Sequence, residues 1–119
     1  MVWIRVGSLF LFLGVLLGAF GAHRLSTVLS EDARHVYQTA VFYHVVHGLA
    51  LLAVGWLTTL KPTELMVRTA GWAFVIGILL FSGSLYGLSV TGVKKLGTIT
   101  PLGGLAFLIG WGCMALAAR

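Results

Sequence analysis

Charged residues fall in a few short clusters along this sequence. Between them lie four stretches with no Asp, Glu, Lys or Arg: residues 6–23, 35–60, 69–93 and 96–118. They hold 18, 26, 25 and 23 residues. About 20 apolar residues at the helical rise cross a hydrocarbon core, so each stretch predicts one transmembrane helix. The predicted fold is an all-α polytopic membrane protein, a single four-helix transmembrane bundle spanning 1–119.

Boundary signals place the helices near 3–22, 31–60, 64–90 and 101–118. Ser30 can cap the second helix, with Glu31 and Asp32 favouring its positive first turn. Lys61-Pro62 stops that helix, and Thr63 and Glu64 open the next. In the third helix, Trp72 and Tyr86 are expected at the two water interfaces, where amphipathic rings concentrate. Lys94-Lys95 ends that span. Thr100 can cap the fourth helix, with Pro101 at its first position, where a missing N–H costs no bond.

Composition sharpens this picture by exclusion. Residues are 59% hydrophobic and 9% charged, with a mean hydropathy of +1.02, against about 25% charged in soluble domains. The four stretches take 92 of the 119 residues, which leaves no room for a soluble catalytic domain. The net charge of +5 comes from basic residues standing singly or as one pair at span ends. They read as headgroup anchors, Arg24, Lys94 and Lys95 foremost, and not as a nucleic-acid patch. Arg5, Lys61, Arg68 and Arg119 fall on one side and Arg24, Arg34, Lys94 and Lys95 on the other, so the positive-inside rule sets no orientation. The N-terminal run resembles a signal peptide but continues to Ala22 and leads into His23-Arg24, so a retained helix is expected. The one cysteine, Cys113, lies in the last apolar stretch and reads as a packed small residue.

The chain has sixteen glycines, which in lipid serve close approach between helices. Gly14-xxx-Gly18-xxx-Ala22 lines one face of the first helix, with Gly21 beside it. Gly83-xxx-Gly87 does so in the third, and Gly103, Gly104 and Gly110 thin the fourth. Packing within one monomer is the first reading of these faces and self-association the second.

An ionisable group at membrane depth is a functional candidate by default. Only histidines qualify, because Glu31, Asp32 and Glu64 lie outside the four stretches. His44 and His47 stand about 60° apart around the second helix and share a face with Tyr37 and Ala40. Imidazoles there could relay protons or ligate a metal or haem iron. Against ligation, an i, i+3 pair supplies two ligands where catalytic zinc takes three. The preferred reading is interhelical hydrogen bonding to Ser82, Ser84, Thr98 or Thr100, at about 0.6 kcal/mol per bond. Lys94 and Lys95 could also fold over the exposed amides opening the fourth helix and make an anion site.

Four ordered segments carry a resemblance: Gly18-Ala-Phe-Gly-Ala-His23, Tyr37-Gln-Thr-Ala40 running on to Tyr43 and His47, Phe81-Ser-Gly-Ser-Leu-Tyr86, and Thr100-Pro-Leu-Gly-Gly104 through Gly110-Trp111. Over nearly the whole chain they resemble the domain of unknown function 423 family, the YgdD-like small membrane proteins. The resemblance implies a multi-pass protein of the bacterial inner membrane and assigns no catalytic residue. In that pattern a glycine follows the first motif's histidine, where this chain has Arg24, and glutamine often stands where it has His44. The resemblance therefore makes His23 and His47, not His44, the shared pair.

Taken together, these features predict a non-enzymatic membrane component that binds lipid or a partner protein, with no cofactor and no metal. The expected partners are the bilayer, a second copy of the chain, or an unidentified membrane protein. Candidate ligand or polar-network residues are His23, Tyr43, His44, His47, Ser82 and Ser84. The alternatives are a small oligomeric transporter or channel using an intramembrane histidine, and a redox subunit holding haem or quinone.

Overall fold

In a computed structural model describing residues 1–118, every span expected from the charge pattern is a helix, and no strand occurs among the described residues. Helix α1 (Val2–Phe20) runs through a widened π-type turn to Leu25, and α2 (Glu31–Leu60) returns beside it. The third span is α3 (Leu65–Gly77), a second widened turn (Ile78–Ser82) and α4 (Gly83–Thr91). A 3₁₀ turn (Lys94–Thr98) leads into α5 (Thr100–Ala117). The molecule measures 47 × 26 × 17 Å. Its long axis exceeds a hydrocarbon core of about 30 Å, so both ends reach headgroup depth.

Local chemistry explains most of the boundaries. Ser30 accepts from the Ala33 amide at 3.1 Å, and Glu31 and Asp32 occupy the first turn of α2. Lys61 leaves helical geometry (φ −136°, ψ 67°) ahead of Pro62, as the proline ring demands of its predecessor. Glu64 caps α3 by accepting from Met66 and is not its first residue. Gly92 closes α4 at φ 71°, the left-handed geometry glycine adopts without a Cβ penalty.

The third span is one helical run, Leu65–Thr91, as expected, with a widened turn inside it whose buried Ser82 hydroxyl donates to Ala40 O at 2.8 Å. Two expectations are corrected. Thr100 does not cap α5, because the 3₁₀ turn runs straight on through Ile99, and its hydroxyl meets Ser84 instead. Tyr86 is not an interfacial ring but packs inside the bundle, edge-on to Tyr37 at 5.3 Å.

α2 is the central helix, packed by α1 on one side and by α3 and α4 on the other, while α5 covers α3. Side chains fit into glycine gaps along both long seams. Between α1 and α2, a Cβ on Gly7, Gly14 or Gly21 would meet Leu51, Val45 or Tyr37 at 2.9, 3.0 and 2.3 Å. One on Gly48 or Gly55 would meet Leu11 or Ile4 at 2.9 and 2.5 Å. Between the third span and α5, Phe74 sits over Gly110, Phe81 over Gly103 and Phe107 over Gly77, with Cβ distances of 2.5, 2.3 and 2.3 Å. The recurrent spacing is seven residues, which keeps one seam facing its partner in a left-handed bundle.

The expected packing glycines divide accordingly. Gly14, Gly18, Gly21, Gly87, Gly103 and Gly110 face neighbouring side chains or backbone within 3.4 Å of an added Cβ. Gly83 meets nothing within 4 Å and Gly104 only the Phe81 ring edge at 3.9 Å, so neither marks a tight contact. Lys61, expected as a headgroup anchor, donates instead to Ala117 O at 2.5 Å, tying the end of α2 to the end of α5.

Candidate functional site

Of the buried polar side chains in the spans, His44, His47, Ser82 and Ser84 form rungs between helices, while Ser89 donates to Tyr86 O within α4. His44, 3% exposed, is held by Nε2 to Phe10 O on α1 at 2.7 Å and by Nδ1 to the Tyr86 hydroxyl on α4 at 2.8 Å. A carbonyl only accepts, so Nε2 carries a hydrogen, and in the neutral ring Tyr86 O–H donates to Nδ1. One side chain thus bridges three spans.

His47 has the opposite arrangement. Trp111 Nε1 on α5 donates to its Nε2 at 3.0 Å, so that nitrogen must supply a lone pair. Nδ1 then carries the hydrogen and donates to Tyr43 O at 2.8 Å. The ring lies flat on Phe107, centroids 3.5 Å apart, with Tyr43 stacked at 6.0 Å and Phe74 tilted at 5.6 Å. Tyr43 contributes its carbonyl to this rung, while its ring packs on Phe81 at 4.5 Å.

The expected partners are therefore corrected. Neither histidine bonds Ser82, Ser84, Thr98 or Thr100. Ser82 joins α2, as above, and Ser84 donates to Phe81 O at 3.0 Å while accepting from Thr100 at 2.6 Å. Thr98 bonds Lys95 O within its own turn. Sequence reasoning missed Tyr86 and Trp111 as histidine partners, because amphipathic rings near span ends read as interface anchors. It also missed the Phe10 carbonyl, which no side chain encodes.

Chemically, both ring nitrogens of each buried histidine are committed. A haem iron or other metal would have to displace Phe10, Tyr86, Tyr43 or Trp111, and protonating His47 at Nε2 would break the Trp111 bond. No buried side-chain nitrogen or oxygen among the described residues lacks a partner.

His23 is not brought to His47. It is exposed in the widened turn ending α1. The neighbouring Gly21 packs at Tyr37, ten residues or about 15 Å along α2 from His47. Arg24, Lys94 and Lys95 are exposed at the same end of the bundle. The anion site expected at the start of α5 is corrected too. The Leu102 and Gly103 amides already donate to Ile99 O, at 3.0 and 3.4 Å, and the Phe81 backbone covers Gly103.

That end does contain an open cavity of about 280 Å³, set between the widened turn of α1 and the start of α2. Gly18, Leu25, Ser26, Leu29 and Val41 line it together with Arg34 and Gln38. Tyr37 forms a wall, its hydroxyl donating to Leu17 O at 2.5 Å.

A protein family described as "Protein of unknown function (DUF423)" matches residues 17–104, from the end of α1 to the first turn of α5. The chain belongs to this family. The DUF423 match takes in the cavity, His44, His47 and the Ser84–Thr100 pair, while Phe10 and Trp111 fall outside it. Similar relatives extend over both. The chain is 47% identical to the UPF0382 membrane protein YwdK of Bacillus subtilis, over 98% of this chain and 95% of the relative. It is 44% identical to a UPF0382 membrane protein of Staphylococcus aureus and 43% to one of Staphylococcus epidermidis, each over 98% of this chain and 93% of the relative. No solved structure matches. Four candidate spans and relatives named as membrane proteins agree on a DUF423 membrane protein.

Proposed function

We propose that this chain is a non-enzymatic component of the bacterial cytoplasmic membrane that binds anionic lipid at the end carrying Arg24, Arg34, Lys94 and Lys95. The observation supporting this reading is the contrast between its interior and that end. Within the spans, His44, His47, Ser82 and Ser84 are spent on rungs between helices, and His44 and His47 have no free nitrogen with which to pass a proton or hold a cofactor. At the end, four cations are exposed beside an open cavity. Juxtamembrane Lys and Arg each contribute about 1 kcal/mol of attraction to an anionic surface.

Native mass spectrometry of protein released gently from its own membrane, with proton flux measured in vesicles reconstituted from the same preparation, tests this reading. Retained anionic lipid and flux no greater than in empty vesicles are expected. A flux abolished by His47→Ala, or a stoichiometric haem or quinone, would replace it with the transporter or redox alternative.

A further inference from the structure

We infer that the cavity between the end of α1 and the start of α2 is a site for one anionic glycerophospholipid, its phosphate held by Arg34 and Gln38. This rests on the lipid-binding reading and gives it a place.

The cavity is built into the helices on both sides. Gly21 lets Tyr37 lie against α1, where a Cβ would stand 2.3 Å from the ring. The Tyr37 hydroxyl is spent on Leu17 O, which makes the ring a fixed wall and not a donor. The turn Gly21–Leu25 is widened to π geometry, and such turns recur at functional sites. Toward the membrane the cavity is bounded by Gly18 and Val41, and nearer the loop by Leu25, Ser26 and Leu29. At its rim, Arg34 and Gln38 lie one helical turn apart on α2, and neither makes a side-chain hydrogen bond or ion pair among the described residues.

A site apolar below and cationic above takes an amphiphile with an anionic head. The volume of about 280 Å³ is just below that of ligand sites, which run from about 300 to 1,000 Å³. It therefore suits a headgroup and the first part of a chain. The remaining acyl length would lie against the exposed Val15 and Phe42. Guanidinium and phosphate match as a bidentate pair, and a glutamine amide can add a third donor. Glu31 and Asp32 line an adjoining open cleft that Arg34 and Gln38 also border. At this end Arg24, Arg34, Lys94 and Lys95 outnumber the two acids, which favours a net negative head over a zwitterionic one.

The test is native mass spectrometry of the full chain from nanodiscs of equal phosphatidylglycerol and phosphatidylethanolamine. One retained phosphatidylglycerol per chain is expected. Arg34→Ala should lower its retention about tenfold, as loss of a charge-assisted bond does, and Gln38→Leu should lower it less. Both positions are exposed; the control Arg68→Ala, exposed at the opposite end of the bundle, should retain the lipid, and the paired Lys94→Ala, Lys95→Ala variant should lower retention less than Arg34→Ala does. If Arg34→Ala retains it undiminished while the lysine variant loses it, the site is wrong and lipid binding stands. Absence of retained lipid from the unsubstituted protein overturns both. Equal retention of phosphatidylethanolamine overturns the anionic assignment, and displacement by millimolar inorganic phosphate would assign the site to free phosphate.

Discussion

Gly103→Ala is expected to destabilise the bundle by about 3 kcal/mol, the upper part of the usual cost of overpacking. The added Cβ would stand 2.3 Å from Phe81 N and 2.7 Å from Phe81 Cα. Those are backbone atoms of the widened turn, so no rotamer change relieves the clash; α5 must move away from the third span. Phe107 over Gly77 and Phe74 over Gly110 would loosen with it. Gly83→Ala is the matched comparison. Its Cβ would meet nothing within 4 Å, and alanine is the better helix former by about 1 kcal/mol in water. Reversible unfolding in mixed micelles with increasing denaturing detergent should show Gly103→Ala unfolding well before the parent and Gly83→Ala at or after it. Equal midpoints for the two would mean that α5 does not cross the third span at Gly103.

His44→Ala should cost about 2–4 kcal/mol, most of it the cavity left by a large buried side chain. The two lost bridges, to Phe10 and Tyr86, add about 0.6 kcal/mol each on the average for such bonds. His44→Gln should cost less than about 1 kcal/mol, because the new amide presents the same pair of functions. Its N–H₂ can donate to Phe10 O and its carbonyl can accept from Tyr86, as Nε2–H and Nδ1 do now. A stable glutamine variant would show that titration is not what the position supplies to the bundle. The same unfolding assay checks the ranking. A glutamine variant as unstable as the alanine one would show that the ring itself is required.

The four spans were legible because charge avoids the hydrocarbon core, and the Ser30 cap and the proline in the first turn of α5 because they rest on local chemistry. The widened turns at 21–25 and 78–82 were not. A π turn differs from its neighbours by one residue of register, and nothing in Ile78–Ser82 distinguishes it from ordinary helix. The glycine seams were half legible. A search at four-residue spacing finds Gly14 and Gly18 but also favours Gly83, which touches nothing within 4 Å. A search at seven finds Gly7, Gly14 and Gly21, then Gly48 and Gly55, then Gly103 and Gly110, each paired with a large side chain across the seam.

At the histidines, the sequence marked the right pair of buried rings but not their partners. Polarity pointed to serines and threonines, whereas the bonds go to two aromatic donors and two carbonyls. Tyr86 and Trp111 are amphipathic enough to serve either at an interface or as interior donors, and only the packing of α4 and α5 decides between these roles. The cavity was illegible for a related reason. Arg34 read as one more headgroup cation until the widened end of α1 placed a hollow beside it.

The central claim is that His44 and His47 are opposite, fixed hydrogen-bonding rungs of the bundle. Solid-state nitrogen-15 NMR of histidine-labelled protein in bilayers tests this most directly. The structure predicts two distinct imidazoles among the four histidines: His44 with its hydrogen on Nε2, and His47 with its hydrogen on Nδ1 and a bare Nε2 that shifts in Trp111→Phe. Rings that exchange rapidly between tautomers, or a His47 with hydrogen on Nε2, would contradict the account and return that residue to the candidates for moving protons.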